Sequence, residues 1–193
     1  MAATVAVEYW NGGSDGTPTK TSASTFRFRS DDSPATINAT NPLVIPSTGN
    51  NYSYWTHIAL AISGTFTEVS NIRFYSDGTI AWTLGTDGKV VRGARDSGDQ
   101  GCPEASYEVA TGTSGTTGDY LDDATNGHTY YNGQTTPTAD VTSDTSGSPA
   151  TIDSSTYSSA DSTKAVVLQT IVDTDATAGT QASETFTFLY DEI

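Results

Sequence analysis

The chain has 193 residues, with 23 Asp and Glu against 8 Lys and Arg, so its formal net charge is −15. This length allows one compact domain with a real hydrophobic core, and the acidic charge excludes nucleic acid phosphates and anionic membrane surfaces as expected partners. Apolar residues make up 35% and charged residues 16% of the chain, so neutral polar residues fill the remainder, and that balance favours sheets and turns.

The number of cysteines and the first residues of the chain indicate the compartment in which it folds. Cys102 is the single cysteine, so no intrachain disulfide can form, and we expect a small buried or loop thiol. Residues 1–5 lack the basic segment and apolar run of a signal peptide, and no stretch approaches the ~20 apolar residues of a membrane helix. We therefore expect a chain that folds in a cytoplasm, without disulfides.

Two strands are predicted near the beginning of the chain. Thr4–Trp10 alternates in polarity and is followed by Asn11–Gly13, which has the composition of a turn. Thr25–Arg29 places its two phenylalanines on one face and its two arginines on the other. The arginines are expected to face solvent or a partner.

The central part of the chain predicts further strands. Leu43–Ile45, between prolines, is expected to be an edge strand or an extended connector. Tyr54–Ile62 has a nearly apolar face and a partly apolar one, so it belongs at the centre of a sandwich. Ile72–Tyr75 is followed by the turn residues Ser76–Gly78, which predicts Ile80–Leu84 as its hairpin partner. A further strand is expected at Lys89–Arg92.

Residues 96–163 differ from the rest in composition. This stretch carries eleven acidic residues and no Lys or Arg, and it is rich in Gly, Ser and Thr. Its composition is that of a flexible segment. With few apolar side chains to offset the entropy of ordering it, we expect contacts with neighbouring molecules to hold it in place.

The final strands complete the predicted fold. Ala165–Asp173 and Ser183–Tyr190 alternate and are predicted to pair as an antiparallel hairpin closed by a long loop. Roughly eight strands separated by turns are typical of an antiparallel β-sandwich or jelly roll. We predict one domain over residues 1–193, with 96–163 as an acidic, loop-rich insertion. Its core is expected to contain Phe26, Phe28, Ile58, Leu60, Ile62, Ile72, Phe74, Val166, Leu168, Phe186 and Phe188.

No catalytic set is evident in the sequence. A Ser-His-Asp or Cys-His arrangement needs a base, and only two histidines are available. His57 lies in mid-strand beside Trp55, which predicts a packing role, whereas His128 follows Asn126-Gly127 in a turn and is expected to face solvent. One cysteine and two distant histidines do not supply the usual zinc ligands. We therefore expect no enzyme activity, no metal and no cofactor.

Calcium and aromatic sites are the remaining alternatives. Carboxylates at Asp31–Asp32, Asp122–Asp123 and Asp173–Asp175 offer oxygen ligands, but none has the spacing of an EF-hand loop. Tyr54–Trp55 is expected in the core. Tyr130–Tyr131 cannot place both rings inward, so one ring is expected to contact a partner.

Short motifs are spread over both ends of the chain. In order, they are Glu8–Gly12, Phe26–Phe28, Asn41–Pro42, Asn51–Trp55, Ile72–Gly78, Ala176–Gly179, Ser183–Phe188 and Tyr190–Ile193. This order of motifs resembles small all-β structural proteins of tailed bacteriophages. The resemblance leaves the acidic middle weakly covered and carries over no functional residue. The resemblance implies a virion component whose partners are other virion proteins.

The leading interpretation is a capsid decoration or cement protein that binds the major capsid protein as a homo-oligomer or through lattice contacts. A tail, collar or fibre component and a carbohydrate-binding β-sandwich are the alternatives. Basic residues are expected on the docking side and the acidic half on the exposed side. The predicted interface residues are Arg73, Lys89, Arg92, Arg95, Tyr130 and Tyr131.

Overall fold

A computed structural model describes residues 2–22, 25–32 and 40–193 of the chain. The described residues form an all-β, antiparallel structure with two short 3₁₀ helices, which confirms the predicted fold class, and none of their helices is long and apolar enough to span a bilayer. The strands are β1 (Ala3–Ser14), β2 (Thr17–Ser22), β3 (Asn51–Tyr52), β4 (Thr56–Gly64), β5 (Val69–Tyr75), β6 (Lys89–Gly93), β7 (Gly112–Thr113), β8 (Thr117–Gly118), β9 (Thr138–Asp140), β10 (Ala150–Asp153), β11 (Asp161–Ser162), β12 (Val166–Val172) and β13 (Thr187–Glu192). The 3₁₀ helices are Glu104–Ser106 and Val141–Ser143.

The large sheet has the strand order β2-β1-β4-β12-β6-β9, with β11 beside β4 and β3 beside β12. All seven residues of β12 are buried, as are six of the nine residues of β4. A strand that is covered on both sides carries apolar residues on both faces, as the sequence of this segment does. The prediction that the strand at 54–62 lies at the centre of the fold is therefore confirmed, although β4 begins at Thr56.

The predicted turn at Asn11–Gly13 is wrong, because β1 continues through these residues. The register of β1 against β2 shifts between Asn11 and Ser14, and Gly12 and Gly13 have φ of 58° and 72°. A Cβ on Gly13 would lie 2.3 Å from the Thr17 carbonyl oxygen. Left-handed glycines form β-bulges as well as turns, and here the chain reverses two residues later, at Asp15–Gly16.

The small sheet has the order β10-β5-β13, and two predicted hairpins are wrong. Ile80–Leu84 forms no strand. It runs beside residues 177–184, where the Trp82 Nε1–H donates to the Ala182 carbonyl at 2.6 Å. The 183–190 segment forms β13 from Thr187 onward and pairs with β5, whereas β12 pairs with β3, β4 and β6. Turn residues predict where a chain reverses and leave its pairing partner open.

The predicted core lies between the two sheets, where Ile58 and Val166 of the large sheet pack with Phe74 and Ile152 of the small sheet. Eight of the eleven predicted core residues are buried, and the other three, Phe26, Phe186 and Phe188, are partly buried against them. Tyr54 and Trp55 are also buried, as expected.

Residues 25–29 form no strand, although their alternation brings Phe28 into the core. Arg29 is only 6% exposed, so the expectation that both arginines face outward is wrong. Its Nε and Nη2 donate to Asp31 at 2.7 and 2.9 Å. A bidentate carboxylate is the partner that allows a guanidinium to be buried. Leu43–Ile45 forms an extended connector, which agrees with the prediction.

Residues 102–131 lie on the outer face of the large sheet, whereas residues further along the same stretch form β9 of the large sheet and β10 of the small sheet. Leu121 and Tyr131 are fully buried and pack with Trp55, which directly precedes β4, and with Val167 on the face of β12 opposite the core. Tyr107 packs in the same way against Trp10. The premise that this stretch holds too few apolar side chains to order itself is therefore wrong, because a few large aromatic residues bury much of its apolar area.

A partly buried carboxyl beside the bulge leads to a pH prediction. Burial raises the pKa of Asp32 to about 6, the negative charge of Asp31 adds to the rise, and the hydrogen bond from the Gly12 N–H offsets part of it. The Tyr9 hydroxyl also lies near this carboxyl. The pKa of Asp32 is therefore higher in the folded protein than in the unfolded chain. The protonated carboxyl contributes its full stabilisation below pH ~4, and this contribution to the free energy of unfolding is lost as the pH rises through about 6.

We expect Asp32→Asn to match the wild type in free energy of unfolding near pH 4 and to exceed it by about 1 to 2 kcal/mol at pH 7.5, after allowance for solvent screening. Urea unfolding of both proteins across this range measures the difference. A difference that does not change with pH would contradict the raised pKa.

Candidate functional site: a buried histidine–cysteine cluster

Three potential metal ligands from distant parts of the chain meet on the outer face of the large sheet. His57 is on β4, on the face opposite Ile58. Cys102 is fixed by two backbone hydrogen bonds of 2.8 Å with Ala165, immediately before β12. His128 follows Gly127 in the acidic segment, and its N–H donates to the Leu121 carbonyl at 3.1 Å. Backbone contacts therefore place all three side chains.

The ligand atoms of this cluster converge on one point. The Nε2 atoms of His57 and His128 are 3.0 Å apart, the Cys102 Sγ lies 4.0 Å from the His128 Nε2, and all three atoms lie within 4.8 Å of one another. The exposed fractions are 1% for His57 and 0% for Cys102 and His128. The buried thiol and the buried His57 were predicted correctly, but the predictions that His128 faces solvent and that the two histidines are far apart are wrong.

A tight turn directs His128 inward. The Gly127 N–H donates to the Asp123 carbonyl at 2.9 Å, and the Asp123 carboxylate accepts hydrogen bonds from the N–H groups of Thr125 and Asn126, each at 2.8 Å. A Cβ on Gly127 would lie 2.3 Å from the Asp123 carbonyl oxygen. Glycine is therefore required here by close backbone approach, and the loop that looks exposed in the sequence closes over the sheet.

Aromatic rings surround the cluster. The His57 ring lies 4.7 Å from the Tyr107 ring and 6.3 Å from the Trp10 ring, centroid to centroid. The His128 ring lies 5.6 Å from the Trp55 ring and 5.2 Å from the Tyr131 ring. Such a shell keeps the local dielectric constant low.

Burial determines the charge state of the cluster. Desolvation lowers the pKa of His128 to about 4 and, together with the neighbouring His128, lowers the pKa of His57 well below its usual value. Both imidazoles are therefore neutral at pH 7. Desolvation also raises the pKa of the Cys102 thiol, which lies 3.2 Å from the Ser106 carbonyl oxygen. A protonated, buried thiol is a poor nucleophile, so this arrangement does not favour Cys–His covalent chemistry.

A surface cleft of about 350 Å³ adjoins the cluster. Its lining includes Asp15, Glu108, Thr129 and Tyr130. The Glu108 Oε2 lies 3.7 Å from the His128 Nδ1 and accepts a hydrogen bond from the Thr129 N–H at 2.9 Å. The carboxylate therefore stands between the buried imidazole and the cleft.

Two imidazoles and one thiol are ligands that zinc and copper accept. Among the described residues, this is the only group of three or more His, Cys, Asp or Glu side chains that meets at one point. The acidic groups considered for calcium are used within the chain instead: Asp31 pairs with Arg29, Asp123 caps its own turn, and Asp175 accepts from the Thr86 N–H. The sequence alone did not indicate that these three side chains meet.

The predicted interface residues occupy different environments. Arg92 is 7% exposed and pairs with Asp144, and Tyr131 is fully buried with its hydroxyl donating to the Gln100 carbonyl at 2.8 Å, so both act inside the chain. Lys89 is exposed. The remaining three are partly exposed: Arg73 pairs with Asp191 at 3.2 Å, and the Arg95 guanidinium lies 4.4 Å from the centre of the Tyr130 ring. An interface role for these four stays a prediction.

Comparison with protein-family models, curated proteins and solved structures finds no significant match to this chain. Its function has to be inferred from its own residues.

Proposed function

We propose that this chain is a non-enzymatic structural protein of a virus particle, and specifically a decoration or cement protein on the head of a tailed bacteriophage. The observation that carries the proposal is the contrast between the two outer faces of the molecule. Residues 102–131 of the acidic segment lie on the outer face of the large sheet, whereas the outer face of the small sheet is partly exposed and presents Arg73.

The small sheet supplies a regular surface for docking. Arg73 alternates with the inward-facing Ile72 and Phe74, and its cross-strand neighbours on β10 and β13 are Thr151 and Leu189. Arg73 also pairs with Asp191 on β13 at 3.2 Å. A basic residue held in an ion pair beside an apolar and a small polar one, on strands packed on a core, fits a protein partner. The acidic face then points away from the particle, which favours solubility and keeps particles apart.

Burial of the reactive side chains supports the non-enzymatic part of the proposal. The single thiol and both histidines are buried. A substrate in solution therefore cannot contact the side chains that usually serve as nucleophile and general base. A carbohydrate-binding role has less support. The partly exposed rings of Tyr52 and Tyr120 stack on each other, with their centroids 4.8 Å apart. They therefore cover each other's faces and do not form a flat row on which a sugar ring could stack.

Electron cryo-microscopy of particles from the source of this chain tests the location. The expected result is a regular array of copies on the head, with the small sheet facing the shell. Absence of the chain from particles would contradict the virion role, and density confined to the tail, collar or fibres would favour the alternative virion location over the head.

The docking face has its own test in solution. We expect Arg73→Glu to weaken binding of the purified chain to particles that lack it by about tenfold, the effect of reversing one interface charge. Lys20→Glu is the matched control, because Lys20 lies on β2 of the large sheet and is also held in an ion pair, with Glu104 of the first 3₁₀ helix. This variant should bind as the wild type does. Equal binding by both variants would exclude the small sheet as the docking face.

A further inference from the structure

We infer that His57, Cys102 and His128 form a binding site for one zinc ion, which fastens the acidic segment 96–163 to the large sheet. This site is independent of the proposed particle role, because it is built entirely from the interior of one chain. Its test uses the isolated protein, so its failure and the failure of the particle role are distinguishable.

The distances approach those of a tetrahedral ion. Zn–N bonds of about 2.0–2.1 Å and a Zn–S bond of about 2.3 Å place two nitrogens roughly 3.3 Å apart and a nitrogen and a sulfur roughly 3.6 Å apart. The corresponding distances here are 3.0 Å between the two Nε2 atoms and 4.0 Å between the Cys102 Sγ and the His128 Nε2. The third pair, the His57 Nε2 and the Cys102 Sγ, lies within 4.8 Å, so binding of the ion closes this pair by up to about 1 Å and shifts the other two by a few tenths of an ångström.

The surrounding charges balance those of the ion. Zinc deprotonates a coordinating thiol, so binding releases the Cys102 proton, and the thiolate offsets one of the two positive charges. The Glu108 carboxylate, 3.7 Å from the His128 Nδ1, offsets the other. A carboxylate behind a ligating histidine is a recurrent arrangement in zinc sites, because it orients the ring with its other nitrogen toward the metal.

The proton on His128 changes position when the ion binds. The Tyr130 N–H donates to the His128 Nδ1 at 3.3 Å, so without a metal the ring proton is on Nε2, which lies 3.0 Å from the His57 Nε2 and 4.0 Å from the Cys102 Sγ. Zinc takes the place of that proton, and a proton on Nδ1 then faces the Glu108 carboxylate.

The ligands join three segments that are distant in the sequence. His57 and His128 are separated by 71 residues, and Cys102 and His128 by 26. Because these residues come together only in the folded chain, the ion binds the folded state alone, and its binding free energy contributes directly to folding. The segment most dependent on it is the one that carries His128.

Metal binding to the isolated full-length protein is the first test. Protein stripped with a chelator and then titrated with Zn²⁺ should bind one equivalent and gain several degrees in Tm. Co²⁺ in place of zinc should give the sulfur-to-cobalt charge-transfer band and the visible bands of a tetrahedral thiolate site. Absence of stoichiometric zinc binding, or tight binding of Cu²⁺ without binding of Zn²⁺, overturns the assignment.

Ligand variants supply the second test. Cys102→Ser and His128→Gln should each weaken zinc binding by at least tenfold to a hundredfold, whereas Tyr131→Phe, a buried neighbour that is not a ligand, should bind as the wild type does. Undiminished zinc binding by Cys102→Ser overturns the proposal. Should a variant fail to fold, the cobalt spectrum of the wild type still decides, because the thiolate band requires the single cysteine.

Proteolysis tests the fastening role. Removing zinc should increase cleavage between residues 112 and 162 severalfold and leave cleavage elsewhere unchanged, and adding zinc back should reverse the effect. Cleavage at the same rate with and without bound zinc would overturn the fastening role.

Discussion

Phe74→Ala is expected to lower the free energy of unfolding by about 3 to 5 kcal/mol, as truncation of a fully buried aromatic does. Phe74 is 1% exposed, and its ring centroid lies 5.6 Å from that of Phe186 and 5.4 Å from that of Phe188. Phe74 therefore packs β5 against both the core and β13, and its removal leaves a cavity at this contact. Urea unfolding monitored by tryptophan fluorescence measures the loss.

Tyr190→Ala is the matched control, because Tyr190 lies on the neighbouring β13 but is 37% exposed. Its cost should stay below about 1 kcal/mol. Similar costs for the two substitutions would show that Phe74 does not fill the space between the sheets.

Asp144→Ala is expected to cost about 3 to 5 kcal/mol, because it leaves the buried Arg92 without its carboxylate. The Arg92 Nε and Nη2 donate to Asp144 at 2.5 and 2.9 Å, and the two residues are 7% and 4% exposed. The pair joins β6 to the turn after the second 3₁₀ helix. Thermal and urea unfolding of the variant give the loss.

A double replacement separates the cost of an unpaired charge from the worth of the pair. Arg92→Met combined with Asp144→Leu removes both charges and should recover most of the stability lost in Asp144→Ala, since apolar residues of similar size replace buried ion pairs at little cost. A double variant as unstable as the single one would mean that the pair itself, through its geometry, stabilises the turn.

The alternation of polar and apolar side chains predicted the positions of the strands much better than it predicted which strands pair. A period of two identifies a half-buried or central strand locally, and β4, β5, β6 and β12 are near their predicted positions. Pairing depends on contacts between distant residues. Ile80–Leu84 had the pattern of a strand, yet the side chains of residues 181–184 satisfy its backbone, so no second strand is needed there.

The cluster around His57 carried one weak signal in the sequence. A histidine in the middle of a strand apolar on both faces needs a buried partner, and neither Cys102 nor His128 is near it in sequence. His128 was misjudged because Asn126-Gly127 is typical of an exposed turn, whereas the cap made by Asp123 folds that turn inward. The burial of residues 96–163 was missed for a similar reason: average composition hides the effect of Tyr107, Leu121 and Tyr131.

The complete burial of the chain's single thiol has a practical consequence. Cys102 is 0% exposed, so an alkylating reagent reaches it only when the loop over the sheet lifts away. When this loop closes faster than the exposed thiol reacts, the ratio of the observed alkylation rate to the rate for a free thiol equals the equilibrium constant for local opening. Mass spectrometry of Cys102 alkylation therefore measures local opening in the folded protein, and no other residue has to be changed or labelled.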